Sequence, residues 1–373
     1  MDGGKAKMTP NLSDEPVSQF LRCAFAELEQ EGVEYCVERN YEQYPETITG
    51  DVDLVVTLAD MKPAVSTICW IANELGWRPF VKYYSSQAVH IGFYRDVWPK
   101  RFVLTIELFA GGVWRGQQFL SAHRVVAMRQ RHNCTWRAHS AHEAIITLIH
   151  HLLYNKRVFE KYRRQIRMCA EDAPGLFERE LRRPFGRSRA RNILGYVKSG
   201  SWGELESQAG QMRRAFLLRS LCLRPVRFAR GLIGICAAVG SKPEGVVISL
   251  GPMSTQEAEQ LADAVIELAV RWHIFIPPAR KTMRFSGDGA AIVRQVRPVI
   301  ASGGVAVVLN QENHRLPVFS RRHPPVRVNF HNGTACISIG KRSASCSGRQ
   351  EELAYVIWNE ILKHRSDIMA KAE

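Results

Sequence analysis

The sequence predicts a mixed α/β protein in three parts: an α/β domain over 1–180, a basic helical stretch over 181–240 and a smaller α/β domain over 241–373. Three observations carry that reading. Through residues 16–109, apolar side chains recur by turns at helical spacing and at strand alternation. Positive charge concentrates in the middle, with nineteen Lys or Arg against seven Asp or Glu between Lys156 and Arg230. In the last third, an apolar strand, a glycine-containing turn and a helix-starting Ser-x-x-Glu follow one another.

Residues 16–32 carry Val17, Phe20, Leu21, Ala24 and Leu28 on one helical stripe, which leads into a short strand at 34–39, a polar loop at 40–49 and a strand at 50–56. That last strand opens Gly50-Asp51-Val52-Asp53. Side chains alternate along a strand, so Asp51 and Asp53 project from one face while Val52, Leu54 and Val56 pack the other. Two carboxylates roughly 7 Å apart repel each other, and Mg²⁺ held between them is a common remedy in phosphoryl transfer. A solvated strand end is the plainer alternative. Next comes a helix at 60–76 with Val65, Ile68, Cys69, Ala72 and Leu75 at its period and Pro63 in its first turn. Residues 78–84 and 88–94 alternate as a hairpin. A strand at 101–109 puts Phe102, Leu104, Ile106 and Leu108 on one face and a third carboxylate, Glu107, on the other.

In order and spacing these pieces resemble the nucleotidyltransferase superfamily, which uses an Asp-x-Asp strand and a later strand bearing the third acidic ligand. The nearer likeness, over roughly residues 1–165, is to a bacterial nucleotidyltransferase-like group. It is carried by Tyr35-Cys36-Val37-Glu38-Arg39-Asn40-Tyr41, Gly50-Asp51-Val52-Asp53, Ile106-Glu107-Leu108-Phe109 and Trp114-Arg115-Gly116. The resemblance implies that Asp51, Asp53 and Glu107 bind Mg²⁺ and carry catalysis on a nucleoside triphosphate, which Arg39, Asn40, Gly50 and Arg115 contact. In that mechanism the ion bridges the phosphates, and Asp53 or Glu107 orients an acceptor hydroxyl for in-line attack at the α-phosphorus. Arg39 and Arg115 neutralise phosphate charge, or form structural ion pairs. Two positions depart from the superfamily's pattern: its Gly-Ser pair is missing, with Thr47, Thr49 and Gly50 the nearest equivalents, and the third ligand is Glu rather than Asp. A metal-binding or inactive relic of the fold stays open beside the enzyme.

At 373 residues the chain has room for two domains with cores of their own, and 46% hydrophobic with 23% charged residues is an ordinary globular balance. The first twenty residues are polar, and the apolar run at 231–240 is too short to span a bilayer. A cytoplasmic protein without a transmembrane segment is expected, with peripheral membrane attachment left open. Nine scattered cysteines without a Cys-x-x-Cys read as reduced thiols. His139, His142, His150 and His151 share one helical region, but no carboxylate or Cys stands at ligand spacing, so packing or surface roles are expected. No Gly-x-Ser-x-Gly nucleophile turn occurs, and Asp288 reads as a loop residue.

The basic middle begins on a long helix, opened by a capping box at Ser140 and Glu143 and running through Ile145, Leu148, Ile149, Leu152, Phe159, Tyr162 and Ile166. A broken stretch at 182–191 and a second helical region at 202–228 follow. Either this is a solvated linker, or it binds a polyanion such as RNA, a phosphorylated substrate or anionic lipid. Phe185, Tyr196 and Trp202 are too sparse to suggest a stacking platform for single strands. Residues 213–240 alternate arginines with apolar clusters, which suits a helix on an anionic membrane or one packed between domains.

The last third reads as a strand at 245–250, a turn at Gly251-Pro252-Met253, and a helix capped by Ser254 and Glu257 that runs through Leu261, Val265, Leu268 and Trp272. A strand at 305–309, a hairpin at 326–340 turning at Asn332-Gly333 and a helix at 350–364 complete it. The layout is that of a phosphate-binding loop, yet the second glycine and the lysine of a Walker loop are missing. Glu257, Glu259, Asp263 and Glu267 would oppose a triphosphate, and the strand that would supply a magnesium ligand ends at Leu309-Asn310. The region resembles the thymidylate-kinase-like domain that accompanies such nucleotidyltransferases, shortened and stripped of its catalytic groups. The resemblance implies a degenerate P-loop domain, a pseudokinase scaffold. The whole is expected to be an Mg²⁺-dependent nucleotidyltransferase acting on a hydroxyl or phosphate acceptor. Its alternative is a non-catalytic adaptor for polyanions or membrane surfaces.

Overall fold

A computed structural model describes residues 16–46, 48, 51–84, 88–97, 100–241, 245–251, 253–271, 280–284, 289–301, 304–309, 324–331, 334–339, 342–348 and 350–370. The readings placed on Thr47, Thr49, Gly50, Pro252, Trp272, Asp288, Asn310 and Asn332-Gly333 lie outside the described residues. The protein is α/β, as expected. It divides into two compact units, one of Met1–Gly76, Tyr84–Val89 and Ile106–Gly240, the other of Trp77–Tyr83, His90–Thr105 and Ser241–Glu373.

In chain order the elements are α1 (Pro16–Gln30), β1 (Tyr35–Val37), β2 (Val52–Val56), α2 (Met61–Glu74), β3 (Arg78–Tyr84), β4 (Ala88–Val97), β5 (Lys100–Phe109), β6 (Gly111–Trp114), β7 (Gln117–Ser121), α3 (Ala122–Ala127), β8 (Gln130–His132), β9 (Thr135–Arg137) and α4 (Ser140–His150). A π-turn (His151–Asn155) precedes α5 (Glu160–Asp172), α6 (Pro174–Phe185), α7 (Arg187–Ser199), α8 (Trp202–Ser207), α9 (Ala209–Leu223) and α10 (Pro225–Ser241). The rest are β10 (Val246–Leu250), α11 (Thr255–Arg271), β11 (Arg280–Arg284), α12 (Gly289–Ala301), β12 (Val305–Leu309), β13 (Val326–His331), β14 (Thr334–Ile339), β15 (Arg342–Cys346) and α13 (Gln350–Ala370).

Within the first unit the strand order runs β5-β2-β1-β9-β8. β2 pairs antiparallel with β1 and parallel with β5. Every residue of β2 is buried, Asp53 included, so both faces of this strand are covered and the solvated strand end considered as the plainer alternative does not describe Asp53. α1 buries Phe20, Leu21, Ala24 and Leu28 of the predicted stripe and adds Phe25, while Val17 at its start is half-buried; Pro63 falls in the first turn of α2.

The basic middle is not a linker. Phe185, Ile193, Val197, Leu205, Met212 and Phe216 join Ile145, Leu148 and Leu152 in one core, which makes α6 to α9 part of the first unit. The stretch at 182–191 is helical except at Gly186, whose φ of 83° separates α6 from α7 in a conformation that favours glycine. The predicted long helix is interrupted instead. After α4 the backbone widens into the π-turn, Lys156 turns left-handed, and α5 starts afresh at Glu160. One long-range and one local contact hold the break: Val158 is fully buried, its N–H donates to Glu206 Oε1 at 2.9 Å, and Arg163 Nε of the next helix donates to Val158 O at 3.1 Å. The capping box at Ser140 is absent for a similar reason. His139 caps the helix, its Nδ1 accepting from the Ala141 N–H, while the Glu143 carboxylate accepts from Tyr41 and Gln165.

The second unit is built on a sheet in the order β11-β12-β10-β13-β14-β15, parallel through β13 and antiparallel beyond it. One face packs Ile248, Leu250, Val307 and Leu309 against α11 and α13, and the other packs Val247, Ala306 and Val308 against Ile292 and Val296 of α12. Phe80 and Val81 of β3 and Tyr94 of β4 belong to the first of these cores. The predicted boundary at 241 therefore leaves out part of this unit. The Ser254 capping box forms as predicted: Ser254 Oγ donates to Glu257 Oε2 at 2.6 Å, and the Glu257 N–H reaches back to Ser254 Oγ at 3.3 Å.

Candidate active site

The acidic residues meet because of strand register. β2 and β5 are parallel neighbours in which Asp53 stands directly opposite Glu107, and strands in a sheet lie about 4.8 Å apart. Opposed residues of parallel strands project from the same face. Asp51, two residues before Asp53 and just ahead of the strand, shares that face by alternation.

β1 brings a fourth carboxylate that the sequence reading did not place here. The Glu38 N–H donates to Asp53 O at 2.8 Å, and Glu38 is buried. Its neighbour Arg39 supplies the local positive charge: Nε donates to Asp53 Oδ2 at 2.9 Å and lies 4.0 Å from Glu38 Oε1. Arg39 thus forms an ion pair with one of the predicted metal ligands, the plainer of the two roles considered for it.

Crowding raises the proton affinity of these acids. Burial pushes the Asp51 carboxyl up to about 7, with Glu107 and Asp53 adding to it and Arg39 opposing. Burial likewise pushes Glu38 up to about 8; Arg39 opposes, while Asp53, Glu143 and Glu107 add to the rise. Asp51 Oδ1 is buried and has no hydrogen-bond partner among the described residues. A buried carboxylate oxygen without a donor is costly unless it is protonated or meets a cation.

Two further groups frame the cluster. Glu143 on α4 accepts from Tyr41 OH and from Gln165 Nε2, each at 3.0 Å, and Arg137 Nη1 donates to Tyr41 OH at 3.0 Å, which ties the loop after β1 to α4 and α5. His150, at the end of α4, stacks on Tyr154 with centroids 4.4 Å apart. Burial holds the His150 pKa down to about 4, with Arg39 and His151 acting the same way and Glu107 opposing, so the imidazole is neutral. His150 ends α4 and Tyr154 lies in the π-turn that follows it. No local spacing signals that.

The other predicted contacts are looser. Arg115 is exposed at the tip of the β6–β7 hairpin, whose loop residues Arg115 and Gly116 both have positive φ, 48° and 68°. Its guanidinium lies 5.0 Å from the Trp114 ring centroid, and its charge acts on Tyr154. Asn40 is exposed and left-handed, with a φ of 57° that Asn tolerates. Gly50 lies outside the described residues. Among the described residues no group of three His, Cys, Asp or Glu is arranged to hold a metal ion. The three predicted ligands are therefore neighbours on one face without a preformed coordination shell.

No protein-family profile matches the chain, and no curated protein matches it. Among solved structures, the crystal structure of JHP933 from Helicobacter pylori aligns with 57% of this chain and 96% of its own length, at 8% identity and a TM-score of 0.25. A likeness that weak carries no argument. Among the described residues no helix is long and apolar enough to cross a membrane.

Proposed function

We propose that this protein is an Mg²⁺-dependent nucleotidyltransferase that moves a nucleoside monophosphate from a nucleoside triphosphate to a hydroxyl or phosphate acceptor in the cytoplasm. One observation carries the reading: Asp53 faces Glu107 across parallel strands, with the orphaned Asp51 oxygen beside them. Hard oxygen donors on one face suit Mg²⁺, and the unpaired, proton-hungry Asp51 is the kind of group a cation relieves. Asp51, Asp53 and Glu107 would hold the ion. When bound, Mg²⁺ supplies charge neutralisation at the phosphates.

The protein's own groups supply the rest. Arg39 neutralises Asp53 in the free protein, and turning its guanidinium toward the triphosphate would free that carboxylate as substrate arrives. Asp53 or Glu107 then accepts a hydrogen bond from the acceptor hydroxyl and orients it for attack. Arg115, exposed on its hairpin, adds positive charge for phosphate. The second unit serves as a scaffold, because Ser254 and the helix start that would receive a phosphate are already engaged by Glu257.

The Arg39–Asp53 pair also supports the second reading, a non-catalytic adaptor that keeps the fold, since the arginine occupies an oxygen of one of the three acids that would hold the ion. Incubating the protein with Mg²⁺, each radiolabelled nucleoside triphosphate and cell extract separates the two. Transfer of label that disappears in Asp53→Asn supports the enzyme; no labelled product with any nucleotide leaves the adaptor.

A further inference from the structure

A second site in the first unit is of opposite charge. A cavity of about 480 Å³ opens between β7, α6, α9 and α10, lined by Arg124, Arg183, Arg219, Arg224, Arg227 and Arg230. None of Glu38, Asp51, Asp53, Glu107 or Glu143 borders it. The one carboxylate present, Glu180, is buried and already bonded to Arg124 and Arg179. Arg219 Nε donates to the Arg183 carbonyl at 2.9 Å. The side chains of Arg183, Arg224, Arg227 and Arg230 have no carboxylate partner among the described residues.

This crowding is built into the fold. Gln117 Nε2 donates to Phe228 O at 3.1 Å, and Gly116 and Gly231 approach so closely that a Cβ on either would collide with the other's backbone. Those contacts fasten α10 to the β6–β7 hairpin and fix its arginines at the cavity. Arg183, Arg224, Arg227 and Arg230 are solvent-exposed, so water and salt screen their repulsion, but their summed positive potential at the cavity mouth favours an anion there.

We propose that this cavity binds a ligand carrying at least two phosphoryl groups, gripped by the guanidinium forks of Arg183, Arg224, Arg227 and Arg230. Guanidinium pairs bidentately with phosphate oxygens, and several unpaired arginines call for several anionic groups rather than one. The volume lies within the range of small-ligand sites, about 300–1,000 Å³. A nucleic-acid strand fits poorly, because the lining aromatics, Phe119 and Phe216, are both buried and offer no ring for a base to stack on. The proposal is independent of the metal-site reading. Leu58 and Leu223, exposed at the rim, are compatible with a lipid as the source of the phosphates, so soluble and lipid-borne phosphate are separated by experiment.

The probe is inorganic tripolyphosphate, titrated calorimetrically into the full chain. Binding should weaken steeply as salt rises, and Arg224→Gln with Arg227→Gln should weaken it at least about tenfold, a change of about 1.4 kcal/mol, as expected on losing charged hydrogen bonds. Arg164→Gln with Arg189→Gln removes the same charge from exposed positions outside the cavity and should change affinity less than about twofold. Equal weakening by both pairs, or no binding of tripolyphosphate, overturns the proposal. Thermal melts of the first pair should match or exceed the parent, since only crowded charge is lost. Cosedimentation with phosphatidylcholine vesicles, with and without phosphatidic acid, decides the source. Retention on phosphatidic acid that tripolyphosphate reverses assigns it to a lipid headgroup; no retention assigns it to a soluble oligophosphate.

Discussion

Arg39 Nε sits 2.9 Å from Asp53 Oδ2, so the guanidinium after β1 is the counter-charge of the central carboxylate on β2. Asp53 is only 4% exposed, and the pair is enclosed on the carboxylate side. Asp53 also lies opposite Glu107 and its carbonyl accepts from the Glu38 N–H, and the Arg39 charge acts on Glu38 and Asp51 as well, which makes Arg39 the cation on which several acids depend. Any ligand that binds these acids as a cation has to share Asp53 with Arg39.

The first prediction tests that dependence. Arg39→Gln should destabilise the metal-free protein by about 2 kcal/mol, less than the roughly 3–5 kcal/mol for breaking a fully buried pair, because the arginine is partly exposed. Added Mg²⁺ should restore much of the loss, read as a rise in the chemical-denaturation midpoint. A variant as stable as the parent would mean the pair is incidental.

Removing one acid rather than the cation should act in the opposite sense. Asp51→Asn removes the charge beside a buried Oδ1 that has no hydrogen-bond partner among the described residues, so the free protein should melt at the same or a higher temperature, while Asp53→Asn should not gain because Arg39 loses its nearer partner. Both variants should lose Mg²⁺-dependent nucleotide binding. Unchanged binding in both, measured by equilibrium dialysis with labelled nucleotide, would sink the metal-site reading.

The second unit should not respond to nucleotide. Ser254→Ala combined with Thr255→Ala removes the cap that Ser254 provides and should cost about 1 kcal/mol. ATP affinity of the full chain should be unaltered. The full chain is the right object, because residues 242–373 alone lack Phe80, Val81 and Tyr94 of that unit's core. A fall in ATP affinity confined to this variant would identify a working phosphate loop.

His142 provides a pH handle. It is fully buried on α4, neither ring nitrogen has a hydrogen-bond partner among the described residues, and burial lowers its pKa from 6.5 to about 4. Between those values the unfolded chain takes up a proton that the folded chain refuses, so this contribution is constant above pH 6.5 and lost as pH falls toward 4. The loss is on the order of 3 kcal/mol. Glu38 and Asp51, whose carboxyls are raised, act in the opposite direction, so the readout is a difference between proteins. Denaturant titrations of the parent and His142→Leu should diverge below pH 6.5, the parent falling faster; parallel curves would show that His142 is not held neutral.

Local periodicity determined a good deal by itself. Alternation placed Asp51 with Asp53 and turned Glu107 away from the apolar face of its strand, helical spacing marked α1, α2 and α13, and Ser254 with Glu257 announced the start of α11. These features depend on neighbours a few residues apart, and their physics is complete within the segment. The same local pattern at Ser140 and Glu143 failed, because Tyr41 and Gln165 supply better-placed donors to the Glu143 carboxylate than the helix start does. The long helix failed likewise, where Glu206 fixes Val158 from 48 residues away. Only the tertiary structure could decide that Asp53 opposes Glu107, that Glu38 and His150 share their surroundings, and that six arginines from α3, α6, α9, the α9–α10 junction and α10 converge. Strand register and helix placement are set by the packing of the whole core, and residues distant in sequence carry no periodic signal of meeting.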